Sequence, residues 1–301
     1  MDKLRALETF VAIVDRGSLT RAAEALETSL PAVVRQLAAL EADVGVRLLN
    51  RTTRRLSLTE DGRQYLTRVR HLLADLDDAE QALGEGRGEP RGTLRVTAPV
   101  LFGTLFVAPL VQSFLARHRE VRVELLLLDR VVDLVDEGID VGVRIADLPD
   151  STLVSLPVAK MRHVVVASPG FLKRVGLPRH PLDLARHNCV RFGAISKWSF
   201  LEGGRPLQVA VAGDFTCNLT MPVVAACVAG RGFGMFLSYQ VAAELRAKAL
   251  RVVLSQYELP ERNVSLVYPS ARLLPSRTRA FVDWMRQGLK ERARELVPSR
   301  A

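Results

Sequence analysis

The stretch from Ser18 to Leu58 constrains this chain most, because it sets two helix starts, two stops and a basic hairpin in one short span. Ser18 is suited to cap a helix over Leu19–Leu26, whose Leu19, Ala22, Ala23 and Leu26 share one face. Glu27 and Thr28 allow a tight turn, Ser29 can cap a second helix, and Pro31 sits in its first turn, where a missing N–H costs little. Val33, Leu37, Leu40 and Val44 form the buried stripe of that helix, and Gly45 is the expected stop. The opposite face carries Pro31, Arg35, Ala38 and Ala42, with Leu30 and Val34 on its flank. A small-residue surface with one arginine suits entry into a duplex major groove. Arg47, Arg51, Arg54 and Arg55 follow, with no acid between Asp43 and Glu60, and Leu56-Ser57-Leu58 alternates like a strand. Arginines on such a wing can grip phosphates. The candidate nucleic-acid contacts are therefore Ser18, Thr20, Ser29, Leu30, Pro31, Val34, Arg35, Arg51, Arg54 and Arg55. A plain three-helix domain with a solvated basic turn is the competing explanation; the wing and the long helix that follows weigh against it.

Ahead of this unit, Leu4, Leu7, Phe10, Val11 and Val14 define a first helix ended by Gly17. Behind it, Thr59 caps a long helix with Glu60 and Asp61 at its positive end. Tyr65, Val69, Leu72, Leu76, Ala79 and Leu83 keep heptad spacing along it, which predicts a dimerisation seam; packing on its own domain is the alternative. Gly84–Gly92 reads as a linker. Strands and helices then alternate. Strands are expected at Thr93–Ala98, Val121–Leu128 (apolar enough to be covered on both faces), Ile139–Ile145, Lys160–Ala167, Cys189–Phe192, Leu207–Ala212, Gly232–Ser238, Leu250–Leu254 and Asn263–Pro269. Helices are expected up to His118, over Asp133–Gly138, Leu219–Ala229, from Tyr239, and from Ser276 through Leu296. The divisions are a DNA-binding head over 1–58, a linker helix over 59–88 and an α/β body over 89–301.

A formal net charge of +9 and a pI near 10.0 favour an anionic partner such as nucleic acid. No apolar run approaches the roughly 20 residues of a bilayer span, and the N-terminus enters an amphipathic helix directly, so a cytoplasmic protein without a membrane partner is expected. The three cysteines, Cys189, Cys217 and Cys227, have no zinc spacing, and no cofactor is expected. Gly230-Arg231-Gly232-Phe233-Gly234 follows a helix and precedes a strand, the wrong order for a dinucleotide loop. His71, His118, His163, His180 and His187 are scattered, with no assembled acid–base pair, which speaks against an enzyme. A solute-binding protein would lack the N-terminal head.

The run LETFVAIVDRGSLTRAAEAL, followed by SLPAVVRQLAALEADVGVRLLNRTTRRLSLTEDG, closely resembles the winged helix-turn-helix of the LysR-type transcriptional regulators. GTLRVTAP, DRVVDLVDEGIDVGVRIADLPDSTL, VVVASPGFL, VAGRGFGMFLS and LVYPSARLLPSRTRAFVDW resemble that family's effector-binding domain. The resemblance implies an all-α winged head with a long linker helix. Behind it comes a two-lobed α/β effector domain of the type-2 periplasmic-binding-protein kind, crossing between lobes near Lys160–Ala167 and Asn263–Pro269. Lobe I would span about 89–162 and 268–301, and lobe II about 163–267. The partners implied are a double-stranded operator, a small organic effector, and further copies of the chain as a homodimer or homotetramer with antiparallel linker helices. Many members carry Gln and Ser where Leu30 and Val34 stand here, so readout shifts toward Arg35, apolar contact with thymine methyls and the wing arginines.

The cleft between such lobes is the expected effector site. Thr97, Pro99, Leu101 and Phe102 lie where the first strand of the body turns into a helix, Arg144 ends a strand, and Thr216 and Asn218 precede a helix of the other lobe. Free N–H groups at those helix starts, together with Arg144, would hold a partly apolar and acidic molecule. Trp198 and Phe236 would line the walls, with a plain core role as the alternative. Cys217 and Cys227 leave open a redox switch.

Overall fold

The computed structural model describes residues 2–52, 55–82, 89–145, 153–270 and 274–292. The head consists of α1 (Lys3–Arg16), α2 (Leu19–Ala25), α3 (Leu30–Val44), strands β1 (Leu49–Thr52) and β2 (Arg55–Leu58), and α4 (Glu60–Ala82). The caps fall where the residue types place them. Ser18 accepts from the Arg21 N–H at 3.5 Å and Ser29 from the Ala32 N–H at 3.4 Å, while Gly17 and Gly45 close α1 and α3 with φ of 62° and 74°. Ala6, Phe10, Ile13, Val33, Leu37 and Leu40 form the buried centre, so α3 has one inward face and one outward face. β1 and β2 pair antiparallel with Thr52 opposite Arg55.

Leu48 is where three elements of the head meet. Its carbonyl accepts from the Thr59 N–H at 3.0 Å, and the Thr59 hydroxyl takes the Gly62 N–H at 2.9 Å to cap α4. A side chain at Gly62 would place its Cβ 2.0 Å from the Leu48 carbonyl oxygen, so that position admits only glycine.

The body opens with β3 (Gly92–Ala98) and a continuous helical stretch α5 (Val100–Arg117), which is π-helical over Gly103–Val107. By length and composition α5 could cross a bilayer, contrary to the sequence expectation. Here Phe102, Phe106, Val107, Leu110, Val111 and Phe114 spend its apolar face on the first-lobe core. β4 (Val121–Leu127), β5 (Val141–Ile145), β6 (Leu153–Met161) and β7 (His163–Ala167) follow, then α6 (Pro169–Val175), β8 (Arg191–Phe192), β9 (Lys197–Glu202), β10 (Arg205–Ala210) and β11 (Thr216–Cys217). The chain ends with α7 (Thr220–Val228), β12 (Gly234–Leu237), α8 (Ala242–Arg246), β13 (Arg251–Val253), β14 (Arg262–Pro269) and α9 (Ser276–Glu291).

The first lobe is a five-stranded sheet ordered β4-β3-β5-β14-β6, with β3, β4 and β5 parallel and β14 antiparallel to its neighbours. α5 and α9 cover it, and Phe114 meets Phe281 edge-on at 5.1 Å. The second lobe centres on the three-stranded sheet β12-β7-β13.

Several expectations change. β4 is an edge strand with part-exposed faces, not a doubly covered one. Leu134–Gly138 forms a single turn instead of a helix over Asp133–Gly138: the Asp133 carboxylate caps it, taking the N–H groups of Val135 and Asp136 at 2.9 and 3.0 Å, and Gly138, with φ of 61°, closes it at once. The expected strand over Lys160–Ala167 is broken at Arg162, with β6 in the first lobe and β7 in the second. The return strand pairs with β5 and β6 from Arg262 onward, so residues 262–267 belong to the first-lobe sheet and not, as expected, to lobe II. The helix after Tyr239 begins as a 3-10 turn over Ser238–Val241. The end of the C-terminal helix expected through Leu296 lies outside the described residues.

Candidate nucleic-acid interface and effector site

The residues at α3 expected to face a duplex are exposed: the cap Ser29 and Leu30, Pro31 and Arg35 on the helix face solvent, Leu30 at 41%, and Val34 is half-buried. Thr20 is exposed on α2, and Ser18 is half-buried because its hydroxyl caps that helix. Arg51 and Arg55 lie on the two wing strands, opposite Leu56 and Thr52 respectively. Their side chains, and all of Arg54, lie outside the described residues. Sequence reasoning missed Glu41, whose carboxylate leaves α3 and accepts from the main-chain N–H groups of Leu48 (2.9 Å) and Leu49 (3.2 Å) at the wing root. Nothing in helical periodicity marks that role.

The heptad seam divides. Tyr65 and Val69 turn inward with Leu66 and Leu73 onto the head's own core, where Tyr65 lies 6.0 Å from the Phe10 ring. Leu72 is 55% exposed and Leu76 is half-buried. The Ala79 side chain and Leu83 lie outside the described residues.

Where β3 turns into α5, Pro99 and Leu101 are half-buried, while Thr97 and Phe102 are fully buried. The Thr97 hydroxyl has no hydrogen-bond partner among the described residues. Tyr239, from the second lobe, stands edge-on to Phe102 at 5.4 Å and to Phe106 at 6.0 Å. Phe102 is thus covered from across the lobes. The Val100 N–H at the start of α5 donates to the Asp129 carboxylate at 3.0 Å, so an acid of this chain already occupies part of the expected anion position. The Arg144 guanidinium donates to the Val132 carbonyl at 3.1 Å, and burial lowers its pKa.

Trp198 and Phe236 are not cleft walls. Trp198 packs with Phe200, Val209 and Phe233, and Phe236 packs with Val164, Val223 and Cys227, both inside the second lobe. Thr216 and Asn218 are exposed ahead of α7. Burial pushes the Cys189 thiol up to about 12 and raises that of Cys227, which withholds the thiolate that redox chemistry needs; Cys217 is half-buried. Gly230, with φ of 75°, ends α7 as a helix-to-strand turn, and Gly232 lies against the Asn188 carbonyl.

Where the chain crosses between lobes, Arg162 and Glu258 form an ion pair at 2.9 Å, each less than a tenth exposed. Ser238 donates its N–H to the Arg162 carbonyl at 2.8 Å. The crossing is therefore tied to the segment that carries Tyr239.

A winged head with one outward-facing helix, followed by a long helix and a two-lobed α/β body, is the architecture of a DNA-binding transcriptional regulator with a substrate-binding domain. Residues 4–63 match the bacterial regulatory helix-turn-helix proteins of the lysR family, and residues 87–290 match the LysR substrate binding domain. The chain belongs to the LysR family of transcriptional regulators and is not an enzyme. It is 37% identical to an HTH-type transcriptional repressor of Pseudomonas aeruginosa strain UCBPP-PA14, over 95% of this chain and 92% of that one. It is 36% identical to the regulator PtxR of P. aeruginosa PAO1, over 95% and 93%. The structure of CrgA, a LysR-type regulator from Neisseria meningitidis, superposes with a TM-score of 0.60 and 31% identity, covering 95% of this chain and 98% of that chain.

The crossing also generates a pH dependence. Burial first, and then Arg262, bring the His163 imidazole down from 6.5 to about 4. The unfolded chain binds the proton first, so stability is intact above pH 6.5 and falls as the pH drops toward about 4. Urea unfolding from pH 7.5 to 4.5 is expected to show this loss, and His163→Gln is expected to shrink it. An unchanged profile in the variant would assign the loss to other groups.

Proposed function

We propose that this chain is an operator-binding regulator that works in the cytoplasm as a homodimer or larger assembly and responds to a small organic effector held between its lobes. The outward face of α3 carries the proposal, since its polar edge and small residues are exposed while the opposite stripe is buried. Arg35 reads base edges, Leu30 and Val34 meet thymine methyls, and Pro31 lets the helix start close to the backbone. Arg51, Arg54 and Arg55 hold phosphates from the wing. Fragments retained from a genomic pool would supply the operator. Arg35→Ala is expected to lower affinity for that operator by about 1–3 kcal/mol, with little loss on scrambled duplex. An equal loss on both would reduce Arg35 to a phosphate contact.

Self-association runs through the part of α4 beyond the head core, where Leu72 presents an apolar side chain to solvent. Leu72→Glu combined with Leu76→Glu is expected to give monomers in light scattering. Retention of the parent mass would move the interface elsewhere.

The effector contacts Pro99, Leu101 and the approach to Thr97, with Thr216 and Asn218 facing from the second lobe. The Asp129 carboxylate, which follows β4 and takes the first N–H of α5, favours a neutral or cationic molecule with an apolar part over an organic acid. Thermal-shift screening is expected to find stabilisation by such molecules, lost on Tyr239→Ala. Stabilisation by organic acids alone would reverse the charge assignment.

A further inference from the structure

We propose that Glu41 is a positioning residue for DNA binding, whose carboxylate fixes the wing at a set angle to the helix that enters the groove. Glu41 belongs to α3 yet points away from the duplex-facing edge, and it is half-buried. Its Oε1 accepts from two consecutive main-chain donors, Leu48 N–H at 2.9 Å and Leu49 N–H at 3.2 Å. Charge-assisted bonds to backbone N–H groups are short, directional and about twice as strong as neutral ones. Leu49 is the first residue of β1, so the grip falls on the root of the wing, not on its tip. Gly45 ends α3 in the left-handed region only three residues before Leu48, and that turn alone does not fix the direction in which the hairpin leaves.

The same main chain is held from the other side. The Thr59 N–H and hydroxyl reach the Leu48 carbonyl at 3.0 and 3.2 Å, and the hydroxyl also donates to the Arg47 carbonyl at 2.7 Å. Recognition helix, wing and linker helix are therefore joined through one peptide segment, with Glu41 supplying the clasp from the recognition helix. Loss of the clasp would leave the hydrophobic centre of the head in place, because Val33, Leu37, Leu40 and Leu48 remain buried together. It would release the wing to swing relative to α3, so that groove and phosphate contacts are no longer made in one pose.

The proposal rests on the wing arginines holding phosphate, and the test separates the two ideas. Full-length protein would be titrated over a range of salt with a duplex that it has itself selected from a randomised pool. Arg55→Ala first establishes the wing: it should flatten the slope of log affinity against log salt by about 0.9 for each phosphate released. Glu41→Ala is expected to flatten the slope similarly, to weaken binding about ten- to hundredfold, and to make Arg55→Ala nearly silent when the two are combined. Glu41→Gln retains an oxygen acceptor for both N–H groups and should recover most of the affinity. If Glu41→Ala does not fold, Glu41→Asp keeps the charge, shortens the reach, and should show the same flattened slope and coupling. A parent-like slope in Glu41→Ala and Glu41→Asp, or additive effects of either with Arg55→Ala, would overturn the proposal while leaving the wing intact. A parent-like slope in Arg55→Ala would remove the wing contact and the proposal together.

Discussion

The burial of one face of α3 governs what the rest of the head can do. Val33, Leu37 and Leu40 are fully buried in a core that α3 shares with α1, α2, the wing root and α4, and close packing there opposes any roll of the helix. Its outward edge is consequently presented at a fixed azimuth, and a cap at each end fixes its length. A helix free to rotate by a single residue would exchange Arg35 for Val34 or Gln36 on the outward edge. The wing and the linker helix inherit that frame through Leu48, which is itself fully buried.

The body applies the same logic at larger scale. Its lobes have separate sheets, yet they are not independently finished. Tyr239 leaves the second lobe and completes the aromatic cluster of Phe102 and Phe106 in the first. The Arg162–Glu258 pair closes the two crossing segments on each other in a poorly solvated position, where each charge depends on its partner. These contacts are fixed points between the two lobes.

Much of this was legible in the sequence, and the parts that were not have identifiable causes. Caps and glycine stops announce themselves by residue type, so Ser18, Ser29, Gly17 and Gly45 were readable one by one. Periodicity was readable but ambiguous. Over two turns a heptad seam and an inward stripe share the same spacing, so Tyr65 and Val69 counted toward a seam although they belong to the head core. β6 was read only at its end, from Lys160, because Pro157 interrupts its alternation; Pro157 is exposed in a strand at the edge of the sheet, where proline is tolerated. Trp198 and Phe236 were drawn toward a cleft by their chemistry, whereas long-range packing placed them in cores. Glu41, Asp129 and the Arg162–Glu258 pair act on groups distant along the chain or on main-chain donors, and no local pattern encodes such partners.

The Tyr239 contact has a mechanical corollary. Because one lobe's ring fills a place in the other's interior, drawing the lobes apart would uncover Phe102 and Phe106 to water. Wide gaping is thereby opposed, and excursions that keep the ring seated, such as small twists about it, cost least.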